Sequence, residues 1–480
     1  MDSLGYELIV DKVIRRKINF LHAIKSEPKT IAELADILNV SVKTILNTVQ
    51  ELKNELPSDI FLEVIDSRVL FLKIHNYFSF SHYIKSLLNN NPLFPVIESI
   101  FRGESKNIED YAEELFISER TLRTYLSVLK QNLASYNLSL SKKPLDIIGN
   151  EADIRYFYFN YFRYAHEQPV SDTQKDNAIA TYKILDSLAK KQGIVLHVDY
   201  YRLLSWLQIF EQRILQGHTL TLSPEIISKY SQTESFRIFE NGFTHYFEAN
   251  TILKNISKSE FVYAFVVRLN SVIYEDDTVF FMADYTKYIN EFDFIVNQFL
   301  TLQNVHPTLH ANLKIKIQCF LTNLLFLTDI TPLFQKTNTE LNNQVSHKYK
   351  TTLDTWKSLL NENQKWLFPE DIAVNLSLIT ATHLKLNEYK EKKILIALSG
   401  EPAALNYFTT IAKKTLPKKL DYFFIFNKPI TDNLLETLSI DICVYNFTPL
   451  EPLSATTLIR LSDTPTQDEW YSLLNSLFTF

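Results

Sequence analysis

Glycine is almost missing from this chain, at 7 of 480 residues. Loops that wrap phosphate with bare backbone need more, and neither GxGxxG nor GxxxxGK[ST] occurs. Helices joined by short turns suit such a composition better. Cysteine is nearly missing too. Cys319 and Cys443 lie far apart, with no zinc spacing and no disulfide framework, which fits a reducing compartment. Long apolar runs are lacking: FVYAFVV at 261–267 falls well short of the roughly 20 residues a membrane helix needs. Asp2, Glu7 and Asp11 stand where a signal peptide would be basic and then apolar. A cytoplasmic protein with no membrane segment is expected. Net charge is −6, so nothing global draws the chain to nucleic acid, and any such binding must come from local surfaces.

What is present is material for packed cores, with 46% hydrophobic and 13% aromatic residues. The length suggests about three to five domains. The clearest organisation is a repeat. Displaced by 77 positions, TIAELADILNVSVKTILNTVQEL falls onto NIEDYAEELFISERTLRTYLSVL: Ile31 meets Ile108, Ala35 meets Ala112, Ser41 meets Ser118 and Leu52 meets Leu129. Each copy reads as a helix of about eight residues, a tight turn and a longer helix opened by a serine cap. The small Ala35 and Ala112 sit where two crossing helices approach most closely. This is the helix-turn-helix arrangement, whose second helix enters a major groove tip first.

After each unit comes a hairpin pattern. IFLEVIDSRVLFL (60–72) alternates around Asp66-Ser67, and LSLSKKPLDII (138–148) does so around Lys142-Lys143-Pro144. Such wings bring basic residues, here Arg68, Lys142 and Lys143, to phosphate oxygens. The outward residues of the reading helices are Lys43, Thr44 and Asn47 in the first copy and Arg120, Thr121, Arg123 and Thr124 in the second. The second set is richer in bidentate donors. The alternative is a pair of plain helical hairpins with wet polar faces; duplication in register, each copy capped and winged, favours DNA binding. One departure stands out. The turn residue is Asn39 in the first copy, which tolerates positive φ, but Phe116 in the second, so a longer or differently shaped second turn is expected.

The middle of the chain is helical in pattern at 173–192, 199–216, 258–274, 293–303, 310–327 and 369–389, consistent with two consecutive bundles. Histidines are scattered through it. His306 and His310 share i, i+4 spacing, but Pro307 lies between them and no HExxH occurs, so no metal site is expected. Most such histidines are capped or surface residues; the sharper reading makes some of them phosphoacceptors, because imidazole is a good nucleophile at neutral pH. From KKILIAL (392–398) onward, apolar strands alternate with helices, which describes a small parallel α/β domain. A plain dimerisation or scaffold role suits it as well as any.

In this order the pieces resemble the Mga and AtxA family of virulence regulators from Gram-positive bacteria. The likeness rests on the paired helix-turn-helix units, RILQGH (213–218) and KILIALSGEPAALN (393–406). It implies a mainly α, multidomain chain: winged helix-turn-helix domains at 1–75 and 76–165, helical domains similar to phosphotransferase-system regulation domains (PRDs) at 166–284 and 285–390, and a IIB-like α/β domain at 391–480. It implies promoter DNA as a partner, contacted by residues 42–47 and 119–124. It also implies phosphorylation by phosphocarrier proteins of the sugar phosphotransferase system, for which His197, His218 and His383 are candidates, and a homodimer or higher oligomer formed through the terminal domain. In phosphoryl-accepting IIB domains the first strand ends in cysteine, whereas Ala397 stands here. A methyl group cannot attack phosphate, so this domain is not expected to be a transfer enzyme. No enzyme activity and no cofactor are expected of the chain. The expected function is a DNA-binding transcription regulator adjusted by that phosphorylation. The alternatives are an RNA-binding antiterminator with similar helical domains, or a phosphocarrier enzyme.

Overall fold

The computed structural model describes residues 3–65, 68–164, 199–249, 256–271, 286–337, 339–362, 365–391, 393–416, 420–454 and 457–479, with scattered positions between 176 and 187. The chain divides into two compact units, one of residues 1–296 with 318–375, the other of 297–317 with 376–480.

In the first unit, α1 (Ser3–Glu7) and α2 (Lys12–Ser26) lead into β1 (Lys29–Thr30), α3 (Ile31–Ile37), α4 (Val42–Glu55), β2 (Ile60–Ile65) and β3 (Val69–Ile74). Local chemistry sets each boundary. The Asp11 carboxylate accepts from the N–H groups of Val13 and Ile14, starting α2. Thr30 and Glu33 form a reciprocal capping box at α3. The Ser41 hydroxyl accepts from the Thr44 N–H, starting α4. The strands pair antiparallel in the order β1-β3-β2, with Leu62 opposite Leu72 and Val64 opposite Leu70. Ile45, Thr48, Val49 and Leu52 form the buried stripe of α4. Behind it, the nearly buried Lys17 on α2 pairs with Glu51 (3.2 Å) and Glu55 (2.7 Å). The residues at the expected wing turn, Asp66 and Ser67, lie outside those described.

The second copy follows α5 (Tyr77–Asn89) and α6 (Leu93–Phe101) with α7 (Ile108–Glu114), α8 (Glu119–Ala134) and a short hairpin, β4 (Ser139–Leu140) and β5 (Ile147–Ile148). A backbone bond stands in for the extra strand of the first copy: the Leu145 N–H donates to the Lys106 carbonyl at 2.9 Å. The hairpin closes tightly, and a Cβ on Gly149 would come within 2.4 Å of the Leu138 side chain. The expected difference between the two turns is absent. Asn39 (φ 51°) and Phe116 (φ 54°) are both left-handed. They make matching bonds, Asn39 N–H to Asp36 O and Val40 N–H to Ala35 O, then Phe116 N–H to Glu113 O and Ile117 N–H to Ala112 O. The tight crossing around Ala35 and Ala112, both buried, imposes the turn, and Phe116 adopts it against its own preference.

Next comes α9 (Glu151–Tyr164), whose run RYFYFNYF is apolar on every side, as only a fully surrounded helix can be. Tyr156, Phe157, Tyr158, Phe159, Tyr161 and Phe162 are all buried. Phe101 on α6 packs on Tyr158 and Phe162, Tyr136 beyond α8 packs on Phe157, and Phe159 stacks flat on Trp206 at 4.1 Å. Trp206 belongs to α10 (Tyr200–Leu215), followed by α11 (Pro224–Ser231), α12 (Glu234–Ala249), α13 (Lys258–Val267) and a 3₁₀ turn at Arg268–Ser271. Only scattered positions of the expected helix at 173–192 are among the described residues. Thr331 donates to Asp153 (2.5 Å) and Phe334 packs on Tyr156, so α9 is also held from the 318–375 stretch.

The second unit carries a four-stranded parallel sheet of order Asp421–Phe426, Lys393–Leu398, Ile442–Tyr445, Thr457–Arg460. Strand Lys393–Leu398 alternates between two cores. Ile394, Ile396 and Leu398 pack with Phe408, Val444 and Trp470, while Leu395 and Ala397 pack with Ile430, Leu435 and Cys443. Burial on both faces is why this strand reads as unbroken apolar sequence.

Candidate nucleic-acid interface

The tips of α4 and α8 are capped alike. In each, a serine caps the helix and its hydroxyl lies against a threonine hydroxyl, Ser41 with Thr44 at 2.9 Å and Ser118 with Thr121 at 2.8 Å. Thr44 and Thr121 are therefore half-buried and turned into the cap. Lys43 and Asn47 are exposed on α4, as are Arg120, Arg123 and Thr124 on α8. Glu119, Arg120, Arg123, Thr124 and Ser127 share one open polar surface. Arg68, Lys142 and Lys143, beside the two hairpins, are exposed as well.

Two features of these tips escape a count of basic residues. The Arg123 guanidinium donates to Glu119 at 3.2 Å and lies 3.9 Å from Glu109, so two carboxylates share its charge. Arg120 makes no ion pair among the described residues. On α4, the positions matching Glu119 and Arg123 are held by Val42 and Leu46, both about half exposed. The signal was there: under the 77-residue displacement, 42 and 46 fall on 119 and 123, one step off the buried stripe.

The candidate histidines are not gathered together. His197 lies outside the described residues. His383, on helix Pro369–Glu391, is half-buried and belongs to the second unit. His218 follows the end of α10, where Gly217 (φ 81°) reverses the chain and the His218 N–H donates to the Arg213 carbonyl at 3.0 Å. It lines a polar pocket with Arg213, Glu151, Asn150 and Asp146, the last three from the end of the second hairpin and the start of α9. Burial, then the nearby Arg213 cation, lowers the His218 pKa, favouring neutral imidazole. Beneath it Arg213 is bidentate to Glu151 (2.9 and 2.7 Å), and Arg155 donates to the His218 carbonyl at 3.2 Å. Among the described residues no group of three or more His, Cys, Asp or Glu is placed to hold a metal ion.

At the tip of strand Lys393–Leu398, Ala397 is fully buried. The loop beyond is locked by two amides. Ser399 N–H donates to Asn446 Oδ1 at 2.7 Å and Gly400 N–H to Asn427 Oδ1 at 3.0 Å. The Asn446 Nδ2 donates back to the Ser399 and Asp463 carbonyls. These bonds engage the two N–H groups that open the loop. No helix among the described residues is long and apolar enough to cross a membrane.

The Mga helix-turn-helix domain family matches residues 76–162, which takes in α5 to α8, the short hairpin and most of α9. The chain is 28% identical over 243 residues to the capsule synthesis positive regulator AcpB of Bacillus anthracis, which is 48% of this chain and 49% of that protein. It is 27% identical over 241 residues to the capsule synthesis positive regulator AcpA of the same organism, 48% and 49% of the two chains. It is also 27% identical over 229 residues to the anthrax toxin expression trans-acting positive regulator of Bacillus anthracis, 44% and 45%. The chain thus spans about half the length of the curated relatives it matches.

Proposed function

This chain is of the Mga/AtxA-like regulator family, and from that premise we propose that it controls transcription by binding promoter DNA through the tips of α4 and α8. The observation that carries the reading is the pair of capped, outward helix tips, each followed by a hairpin with exposed basic residues. The helical segments between the reading modules and the terminal sheet adjust this output. His218 and His383 are the phosphoacceptors, and phosphocarrier proteins of the sugar phosphotransferase system are the donors. A neutral imidazole beside Arg213 suits His218 to that role, since the arginine can pair with the phosphate it gains. The sheet unit joins two copies of the chain, and a buried Ala397 where a nucleophile would stand fits a scaffold better than a transfer enzyme.

Gel-shift titration of a promoter duplex selected by the full-length protein tests the reading. Arg120→Ala with Arg123→Ala should weaken binding by tenfold or more and beyond the effect of Lys43→Ala, with affinity falling steeply in salt. An unchanged affinity in the double variant would remove α8 from the interface. Labelled phosphoenolpyruvate with the general phosphocarrier proteins tests regulation: label should rest on histidine and be lost in His218→Ala with His383→Ala.

A further inference from the structure

The apolar tip of α4 needs a reason. Val42 is 49% exposed and Leu46 48%, one helical turn apart, at the outer edge of the buried stripe of Ile45, Val49 and Leu52 on α4. Each leaves about half its surface in water. Their counterparts on α8 are Glu119 and Arg123, which lie on the open polar surface of that tip. The two reading helices share a cap, a turn and a hairpin, yet show a duplex opposite chemistry at the same two places.

We propose that the first module reads thymine, with Val42 and Leu46 packing on thymine 5-methyl groups in the major groove while Asn47 pairs with an adjacent adenine. The proposal rests on the DNA-binding function above. The thymine methyl is the one apolar group that a base presents in the major groove. An asparagine amide matches the paired donor and acceptor of adenine, and Asn47 is exposed beside Leu46. Lys43, exposed next to Val42, gives this tip the positive charge that a duplex requires. No arginine stands on it. On α8 the order is reversed: Arg120 suits guanine, and the positions matching Val42 and Leu46 carry the charged Glu119 and Arg123 rather than apolar side chains. The protein therefore reads two unlike half-sites, an A·T element through α4 and a G·C element through α8.

The test uses full-length protein and a duplex selected by it from a random library, prepared once with thymine and once with deoxyuridine throughout. Removing two or three buried methyl groups should weaken wild-type binding about tenfold. Val42→Ala with Leu46→Ala, both at half-exposed positions, should bind both duplexes equally, while Arg120→Ala keeps the preference for thymine. Tight but equal wild-type binding to the two duplexes overturns the proposal and leaves DNA binding standing. So does a thymine preference that survives in the Val42/Leu46 variant, which would place the methyl contacts elsewhere. So does equal binding together with a change of oligomeric state in that variant, which would give the apolar tip to a second copy of the chain. Failure to select any duplex overturns the function and the proposal together.

Discussion

Arg155 and Glu260 are 105 positions apart in the chain and meet in a two-pronged ion pair, Nη1 to Oε2 at 2.6 Å and Nη2 to Oε1 at 2.9 Å. Both are buried, and Arg155 also lies over the Tyr263 ring at 4.8 Å. Glu260 accepts the Leu220 N–H as well, at 2.7 Å. One pair thus ties α9, the helix that closes the second reading module, to α13 and to the segment carrying His218.

Glu260→Ala should destabilise the protein by about 3–5 kcal/mol, because it leaves a buried guanidinium without its main partner. Replacing both residues with apolar side chains of similar volume should cost less. Chemical denaturation of the three proteins checks this, and a double variant that loses as much as the single would refute it.

Glu119→Gln should tighten duplex binding several-fold at low salt. It removes a negative charge from the α8 tip and releases Arg123 to a phosphate, so the slope of log affinity against log salt should steepen by about 1. A small loss of helix stability, ~0.5 kcal/mol, accompanies removal of an acid from the first turn. Weaker binding would mean that Glu119 itself touches a base.

Phe116→Asn should stabilise the second module by about 0.5–1 kcal/mol. The residue is 96% exposed, so little packing is lost, and asparagine enters the left-handed region at lower cost. A lower Tm in the variant would show that the ring is covered in the intact assembly.

Stability should fall as the pH drops from about 6.5 toward 4. Burial lowers the pKa of His22 on α2 from 6.5 to about 4, so in this window the unfolded chain takes up a proton that the folded chain refuses. Its contribution is complete above pH 6.5 and lost as pH falls through the folded value. The size is about 1–2 kcal/mol, and it should disappear in His22→Gln. Denaturation series at pH 7 and pH 5 measure the difference, and an equal pH slope in both proteins would assign it to other groups.

Much of this was legible in the chain because it is local. A serine cap, a period near 3.6 and an alternating hairpin leave marks within a dozen residues, and the 77-residue displacement doubles each mark. Asp11, Thr30, Ser41 and Ser118 begin helices where their side chains predict. The parallel sheet announces itself equally well, since a strand buried on both faces can only be apolar. The left-handed Phe116 did not show, because the preference of one residue is worth about 1 kcal/mol and a crossing of two packed helices outweighs it. The cap threonines showed only as polar residues on an outward face; which way their hydroxyls turn depends on the serine beside them.

The sequence by itself determined the capped, paired reading helices, their hairpins and the alternation that builds the terminal sheet, since each needs only neighbours along the chain. Tertiary structure alone decided which elements surround α9, that Arg155 finds Glu260, and that His218 borders the root of the second module. Those contacts join residues from tens to more than a hundred positions apart, and a buried charge or ring is matched by whatever the packed chain brings within reach.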